Sequence, residues 1–252
     1  MSTQLNGSSA LITGASRGIG AATAIGLAQA GAKRIVLHYN SFAEGAEATA
    51  EKVRALGAEV TLLQADLGSM PGIHELIARI EGQEFDILVN NAGHLVQRAK
   101  LLESTEDVYD TVMNLNVKSM WFLTQAVVPA MIAKKSGVIV NLGSIAARNG
   151  GGPGATMYSA AKAAVATFTK GWAKELAPHG IRVNAVSPGT VDNYFHEKHS
   201  NRQILDSVIA QTPAGRLATN EDVSDVIVFL CSEGSRYVHG QTIEINGGMF
   251  MV

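Results

Sequence analysis

Cysteine, charge and long apolar runs are all scarce in this sequence. The one cysteine, Cys231, excludes an internal disulfide, and no Cys or His spacing typical of a zinc site surrounds it, so we expect no metal. Charged residues make up only 17% of the chain, the net charge is −2, and no run of like charge offers a footprint for nucleic acid or an anionic membrane. No stretch reaches about 18 uninterrupted apolar residues, and the first residues lack the pattern of a signal peptide. These absences predict a cytoplasmic protein whose partner is a small molecule.

Hydrophobic residues are plentiful, at 46% of the 252-residue chain, which is enough for a large core. Short β-branched runs such as SALIT, RIVLHY and DILVN alternate with longer alanine-rich helical runs. This alternation predicts an α/β fold in which about seven parallel strands form a doubly wound sheet, with helices on both faces. We expect one domain over residues 1–252, with a lid-like insertion at about 190–218 that follows the strand IRVNAVS and faces the ligand crevice.

A glycine loop, TGASRGIG, follows the first predicted strand and opens directly into a helix. Gly14, Gly18 and Gly20 permit a tight turn and a close approach of the backbone to a ligand. The helix amino terminus adds unpaired N–H groups and the positive end of a dipole, which suit a pyrophosphate. The position of the loop between a strand and a helix therefore predicts a dinucleotide site.

The end of the second predicted strand indicates which dinucleotide binds. An acidic residue about 20 positions beyond the glycine loop normally holds the adenosine ribose hydroxyls. This strand instead ends in Tyr39, Asn40 and Ser41, and no acid appears before Glu44. A 2′-phosphate would not be repelled there, and the guanidinium of Arg17 could bind it, with a solvated loop arginine as the less favoured alternative. The pattern favours NADP(H), with NAD(H) as the alternative.

Three further strand ends carry residues that suit the same ligand. Asp66 could accept a hydrogen bond from an adenine amino group or cap the helix that starts near Ser69. The segment NNAG, residues 90–93, suits a tight turn against a flat ligand, and Ser144 follows the fifth strand. Because the carboxyl ends of parallel strands face one crevice, we expect these groups to lie along the same edge of the sheet.

Tyr158 and Lys162 lie four positions apart in an alanine-rich helix, so their side chains share one face. An ammonium near a phenol lowers the phenol pKa towards the working pH, which makes Tyr158 a usable general acid or base. Ser144 can hold the substrate oxygen, and Asn116 could anchor a water that restores the proton. Alone, the tyrosine and lysine would indicate a helix-surface pair; with Ser144 and Asn116 they predict a proton-transfer site.

These motifs together resemble the short-chain dehydrogenase/reductase family over nearly all of the chain from Ser8 to Gly248. The resemblance rests on TGASRGIG, ADL, NNAG, NLN, the serine of GSIAA, YSAAK, RVNAVSPG and the closing INGG. It implies a Rossmann-type sheet, a nicotinamide cofactor and often a homotetramer. It also implies a catalytic tetrad of Asn116, Ser144, Tyr158 and Lys162, and hydride transfer between the nicotinamide and a carbonyl or alcohol.

The cofactor contacts that we predict from the loops and from this resemblance are Gly14, Ser16, Arg17, Gly18, Ile19, Gly20, Tyr39, Asn40, Ser41, Asp66, Leu67, Asn91, Ala92, Gly93, Tyr158, Lys162, Pro188, Gly189, Val191 and Asn193. One departure from the family pattern is visible, because Asn193 stands where many relatives have threonine. An amide can still bond the nicotinamide carboxamide, so we keep Asn193 as a predicted contact.

The segments expected to form the substrate pocket hold few large apolar residues and several polar or cationic ones. The predicted substrate contacts are Ser144, Arg148, Asn149, Tyr158 and Phe195, and the further cationic candidates are His94, Arg98, His196 and Lys198. This composition favours a small, polar, anionic carbonyl compound. The loops NGGGPGATMYSAAKA and SPGTVDNYFHEK resemble those of reductases that act on keto-uronates from alginate. A 3-oxoacyl-carrier-protein reductase and a cofactor-binding regulator without catalysis are the alternatives.

Overall fold

The computed structural model describes residues 4–195 and 200–251, so the candidates His196 and Lys198 lie outside the described residues. Within these ranges, seven parallel strands form one sheet in the order β3-β2-β1-β4-β5-β6-β7. The strands are β1 (Ser9–Ile12), β2 (Arg34–Tyr39), β3 (Glu59–Gln64), β4 (Ile87–Asn90), β5 (Gly137–Leu142), β6 (Ile181–Pro188) and β7 (Thr242–Ile245). The predicted doubly wound parallel sheet is confirmed.

The helices connect these strands in the alternating order that the sequence predicts. They are α1 (Gly18–Gln29), α2 (Ala43–Ala55), α3 (Met70–Ile80), α4 (Glu106–Met113), α5 (Ser119–Lys134), α6 (Ala146–Asn149), α7 (Thr156–Leu176), α8 (Arg202–Gln211) and α9 (Asn220–Cys231). Short 3₁₀ turns lie at Ala177–His179 and Glu233–Ser235. No helix in the described ranges is long and apolar enough to cross a membrane.

Two hydrophobic layers hold the sheet, one on each face. Helices α1, α2 and α9 cover one face with side chains such as Leu27 and Ile227, and α3, α5 and α7 cover the other with side chains such as Leu76 and Leu123. Each such fully buried side chain contributes roughly 1.5–3 kcal/mol to folding. Because both faces are covered, all four residues of β1 are buried, which explains why the strands read as continuous apolar runs.

The strand order reverses between β1 and β4, and the crevice outside the carboxyl ends of these strands is where open α/β sheets bind ligands. A π-helical turn, Asn114–Lys118, joins α4 to α5 beside this crevice, within the span that the sequence predicts as one long helix. The wider turn changes the direction of the Asn116 side chain relative to a continuous α-helix. Such turns occur frequently at functional sites.

Candidate active site

A cavity of about 920 Å³ runs along the carboxyl edge of the sheet, from the loop after β2 to the start of α7. It has the size of a large ligand site. Most of the predicted site residues line it, including the glycine loop, the NNAG segment, Ser144, Tyr158 and Lys162. The structure does not bring Tyr39 or Arg148 to the cavity wall, and Asn116 lies just behind it.

The glycine loop turns sharply, and two of its glycines need a positive φ. Gly14 has a φ of +67° and Gly18 a φ of +62°, which glycine adopts without steric strain. A Cβ on Gly20 would clash with the carbonyl oxygen of Gly14 and lie 2.5 Å from the amide nitrogen of Asn91. The loop therefore wraps so closely on itself that its backbone N–H groups lie at the cavity surface.

Thr13, which the sequence analysis did not single out, ties the NNAG segment to the glycine loop. Its hydroxyl accepts hydrogen bonds from the backbone N–H groups of Asn91 (3.0 Å) and Ala92 (2.9 Å). The Asn91 amide in turn donates to the carbonyl oxygens of Thr13 (2.7 Å) and Gly14 (3.0 Å). The role of Asn91 in the structure is thus to brace the loop, which fixes the floor of the cavity.

His38 is a second residue that sequence reasoning missed. Its ring is buried, with 2% exposure, and Nδ1 accepts the backbone N–H of Gly14 (3.2 Å) while Nε2 donates to the carbonyl oxygen of Ala65 (3.0 Å). A carbonyl can only accept and a backbone N–H can only donate, so these two bonds fix the neutral tautomer. Burial lowers the pKa of His38 to about 4, against the opposing effect of the Ala65 bond. The imidazole holds the glycine loop to the end of β3.

The start of α3 decides between the two predicted roles of Asp66, which are to cap this helix or to bind the adenine. The Ser69 hydroxyl caps this helix by accepting the N–H of Gly72 (3.2 Å), so Asp66 is not the helix cap. One Asp66 carboxylate oxygen accepts the N–H of Gly68 (2.9 Å), and the residue lines the cavity next to Leu67. Asp66 is therefore available to a ligand at this end of the cavity.

Lys162 is nearly completely buried, with 4% exposure. Its ammonium donates to the carbonyl oxygen of Leu142 (2.7 Å) and lies 5.7 Å from the centre of the Tyr158 ring. Because α7 places the two residues one turn apart, both reach the cavity from the same helix face. The Ser144 hydroxyl accepts the N–H of Ala146 (3.1 Å) and also hydrogen-bonds Tyr158.

Asn116 leaves one buried polar atom without a partner among the described residues. Its side-chain nitrogen donates to the carbonyl oxygens of His94 and Val112, both at 2.9 Å, while Oδ1 has no hydrogen bond. A Cβ on Gly93 would lie 2.7 Å from this Oδ1 and 2.8 Å from Nζ of Lys162. An acceptor and an ammonium therefore meet beside Gly93, where a bridging water could satisfy both.

The pKa of Tyr158 moves in the direction opposite to the expected one. Burial raises it to about 12, and the hydrogen bond with Ser144 offsets only part of that rise. Burial also lowers the pKa of Lys162 to about 8. Desolvation of the phenolate is the largest cause, so the expectation of a lowered tyrosine pKa was wrong for the folded chain. At neutral pH the phenol keeps its proton and can donate it.

The end of the cavity next to Tyr158 is bounded by aromatic rings. Phe195 lies 5.9 Å from the Tyr158 ring and 5.6 Å, edge-on, from the His94 ring. Arg98 also lines this end, and its Nη1 donates to the carbonyl oxygen of Pro153 (2.9 Å). Asn149, another predicted contact, lines the cavity as well.

Arg148, although next to Asn149, points elsewhere. Its Nε donates to the carboxylate of Glu244 on β7 (2.9 Å), which draws the guanidinium away from the cavity. The sequence could not show this, because the partner lies 96 residues further along the chain. The structure therefore leaves Arg98, and not Arg148, as the arginine at this end of the cavity.

Comparison with known proteins identifies the relatives of this chain. A family model described as enoyl-(acyl carrier protein) reductase matches residues 14–250. The 3-oxoacyl-[acyl-carrier-protein] reductase FabG of Escherichia coli K12 is 38% identical over 246 residues, covering 98% of each chain.

Solved structures agree closely with the fold. An NADH-dependent reductase, A1-R′, responsible for alginate metabolism has a TM-score of 0.86 at 33% identity and covers 99% of this chain and 100% of its own. A gluconate 5-dehydrogenase from Burkholderia cenocepacia, solved with NADP and tartrate, has a TM-score of 0.89 at 33% identity, covering 98% and 97%. The chain belongs to the short-chain dehydrogenase/reductase family of NAD(P)-dependent oxidoreductases.

Proposed function

We propose that this enzyme is an NADP(H)-preferring reductase of a small anionic carbonyl compound, and that Tyr158 donates the proton. The observation that carries this proposal is the cluster of partly buried Tyr158 and Ser144 with buried Lys162, at one end of a cavity that starts at a dinucleotide-type glycine loop. When bound, the nicotinamide supplies hydride to the carbonyl carbon. The protein's own residues then have three tasks: to hold the substrate oxygen, to protonate it and to replace the proton.

The proton path follows from the hydrogen bonds of the cluster. Ser144 and Tyr158 both donate towards the carbonyl oxygen, and the phenol proton moves to that oxygen as negative charge develops. The ammonium of Lys162 stabilises the resulting phenolate. A water held between Lys162 and Oδ1 of Asn116 returns a proton through the lysine. The protonated phenol at neutral pH suits reduction better than alcohol oxidation.

The adenosine end supports a preference for NADP(H). Asn40 and Ser41 line the cavity at the end of β2 without a carboxylate, and Arg17 lines it from the glycine loop. A guanidinium binds phosphate with two parallel hydrogen bonds, whereas NAD(H) offers it only a ribose hydroxyl. Among the relatives, the NADP-bound gluconate dehydrogenase supports this choice, while the NADH-dependent A1-R′ shows that the fold also serves the other cofactor.

The substrate end supports an acidic sugar derivative. The Arg98 side chain provides positive charge there, and the aromatic rings of His94 and Phe195 line the cavity beside Tyr158. The likeness to the alginate-pathway reductase and to gluconate 5-dehydrogenase supports the same class, because both are named for acidic sugars or their degradation. A keto-uronate or a related aldehyde acid is thus our proposed substrate.

A second candidate is a 3-oxoacyl-carrier-protein reductase, favoured by the 38% identity to FabG over 98% of the chain. Steady-state kinetics with keto-uronates, keto-gluconates, acetoacetyl thioesters and simple aldehydes would separate the two. We expect the highest kcat/KM for an acidic sugar with NADPH. Turnover of the thioester without any acidic sugar would favour the second candidate. Cofactor binding without turnover across the panel would favour a non-catalytic regulator.

A matched pair of arginine variants sharpens this test. Arg98→Gln should raise KM for an acidic sugar by roughly tenfold and leave KM for a neutral aldehyde nearly unchanged, since only the anion loses a charge-assisted contact. Arg148→Gln is the control, because Arg148 binds Glu244 outside the cavity. Equal effects of the two variants on the acidic substrate would contradict the role of Arg98.

We further propose that the enzyme is a cytoplasmic homotetramer. Trp121 of α5 is 39% exposed and packs against Phe168 and Trp172 of α7, so one exposed tryptophan lies where these two helices meet. Light scattering coupled to gel filtration measures the mass, and Trp121→Glu should lower it if α5 and α7 form a subunit interface.

A further inference from the structure

The guanidinium of Arg17 lies between two aromatic rings contributed by distant parts of the chain. Its central carbon is 3.9 Å from the centre of the Phe42 ring and 4.1 Å from the centre of the Tyr194 ring. Both rings line the same cavity. Cation–π contacts of this kind hold the plane of a guanidinium parallel to the rings. Phe42, Arg17 and Tyr194 are called the arginine clamp below.

The Phe42 side of the clamp depends on a glycine inside α2. A Cβ on Gly45 would clash with the Phe42 ring and would lie 2.5 Å from the carbonyl oxygen of Ser16. Because Gly45 has no side chain, the Phe42 ring can pack against it and remain in contact with Arg17.

The clamp leaves the edge of the guanidinium available. In the described ranges, no protein atom accepts a hydrogen bond from the Arg17 side chain, and no carboxylate pairs with it. Stacking uses the two faces of the group, whereas its five N–H donors point outward in the plane. Asn40 and Ser41 line the same cavity as Arg17.

We propose that Phe42 and Tyr194 determine cofactor specificity, because they fix Arg17 in the orientation that binds the adenosine 2′-phosphate of NADP(H). This inference rests on the proposed preference for NADP(H). A free arginine side chain loses conformational entropy when it binds a phosphate, and the clamp removes most of that loss in advance. NAD(H) lacks the phosphate and gains nothing from an oriented guanidinium.

The clamp also connects the phosphate end of the cavity to the catalytic end. Tyr194 and Phe195 are consecutive, and Phe195 packs between His94 and Tyr158. The side chain of Asn193 fixes the turn by accepting the N–H of Phe195 (3.1 Å) and donating to Asn220 (3.0 Å). The ring that covers Arg17 and the ring that packs on Tyr158 therefore belong to consecutive residues of one hydrogen-bonded turn.

Binding of each cofactor to the wild-type enzyme and to Tyr194→Leu tests the proposal. We expect Kd for NADPH to rise about 5- to 30-fold in Tyr194→Leu, because binding must then order Arg17, which costs at most about the free energy of one cation–π contact. Kd for NADH should change less than about twofold. Tyr194→Phe keeps the ring and should retain the wild-type preference, and Phe42→Leu should behave like Tyr194→Leu. Tyr237→Leu, at a tyrosine that is 97% exposed, is the matched control.

The outcomes separate this proposal from the proposed function. If the wild-type enzyme prefers NADPH and Tyr194→Leu keeps the same preference, the role of the clamp is overturned and the NADP(H) preference stands. Equal weakening of both cofactors in Tyr194→Leu would show a general structural role and would also overturn it. Wild-type enzyme that binds NADH as well as NADPH would overturn the NADP(H) preference, and the clamp proposal with it.

Discussion

Protonation of His38 should destabilise the fold and loosen the glycine loop together. The neutral ring accepts the N–H of Gly14 and donates to Ala65, so a second ring proton would face a backbone N–H and break one of these bonds. Burial lowers the pKa of His38 from 6.5 to about 4. In the unfolded chain the same ring protonates near pH 6.5, so the unfolded state binds more protons between these two values.

The size of the effect follows from that difference. Each unit of pKa corresponds to about 1.36 kcal/mol, so neutral His38 contributes about 3 kcal/mol of unfolding free energy that is present above pH 6.5 and is lost as the pH falls through 4. About 2.5 kcal/mol of it is gone at pH 4.5. This is a large fraction of the stability of an ordinary domain.

Urea unfolding at several pH values between 7.5 and 4.5 measures the effect. The difference between wild type and His38→Gln isolates His38, because carboxylates such as Asp86 titrate in both proteins. The unfolding free energy of His38→Gln should depend less steeply on pH than that of the wild type. Identical slopes in the two proteins would refute the reasoning.

Three further predictions concern the active site. Reduction should slow as the pH rises through about 8, because burial lowers the pKa of Lys162 to about 8. Above that pH the neutral amine no longer stabilises the phenolate. A flat kcat/KM profile from pH 6 to 10 would contradict this prediction. Gly93→Ala should lower kcat roughly 100-fold with little change in Tm, since the new Cβ would lie only 2.8 Å from Nζ of Lys162 and displace the ammonium. A kcat near that of the wild type would show that the position of the ammonium is not critical. Gly20→Ala should abolish cofactor binding, because its Cβ would clash with the backbone of Gly14. Gly171→Ala is the control, since its Cβ would lie in open space on α7. In urea unfolding this control should raise the unfolding free energy by about 0.5–1 kcal/mol.

The sequence predicts the strands and the sheet well because each carries its own local signal. Short β-branched runs, a glycine loop between strand and helix, and side chains four apart on one helix all depend on neighbours in the chain. Because the carboxyl ends of parallel strands lie at one edge of a sheet, the sequence also predicts that Asp66, Asn91 and Ser144 lie along one cavity. This prediction needs no knowledge of contacts between distant residues.

What the sequence could not predict depends on partners that are remote in the chain or on a balance of opposing effects. Arg148 looks free until Glu244 is placed beside it, and the two rings that enclose Arg17 come from segments far from it in the chain. Desolvation sets the direction of the Tyr158 pKa shift, and the sequence does not show how deeply the ring is desolvated.

The central claim, that Tyr158 gives the proton to a carbonyl oxygen next to a bound nicotinamide, is tested most directly by Tyr158→Phe. The change removes one hydroxyl and keeps the ring that packs on Phe195. Reduction of the best substrate from the panel should fall about 10²- to 10⁴-fold, the contribution of general acid catalysis, while Kd for NADPH stays within about twofold of wild type. Reduction at the wild-type rate by Tyr158→Phe would contradict the claim.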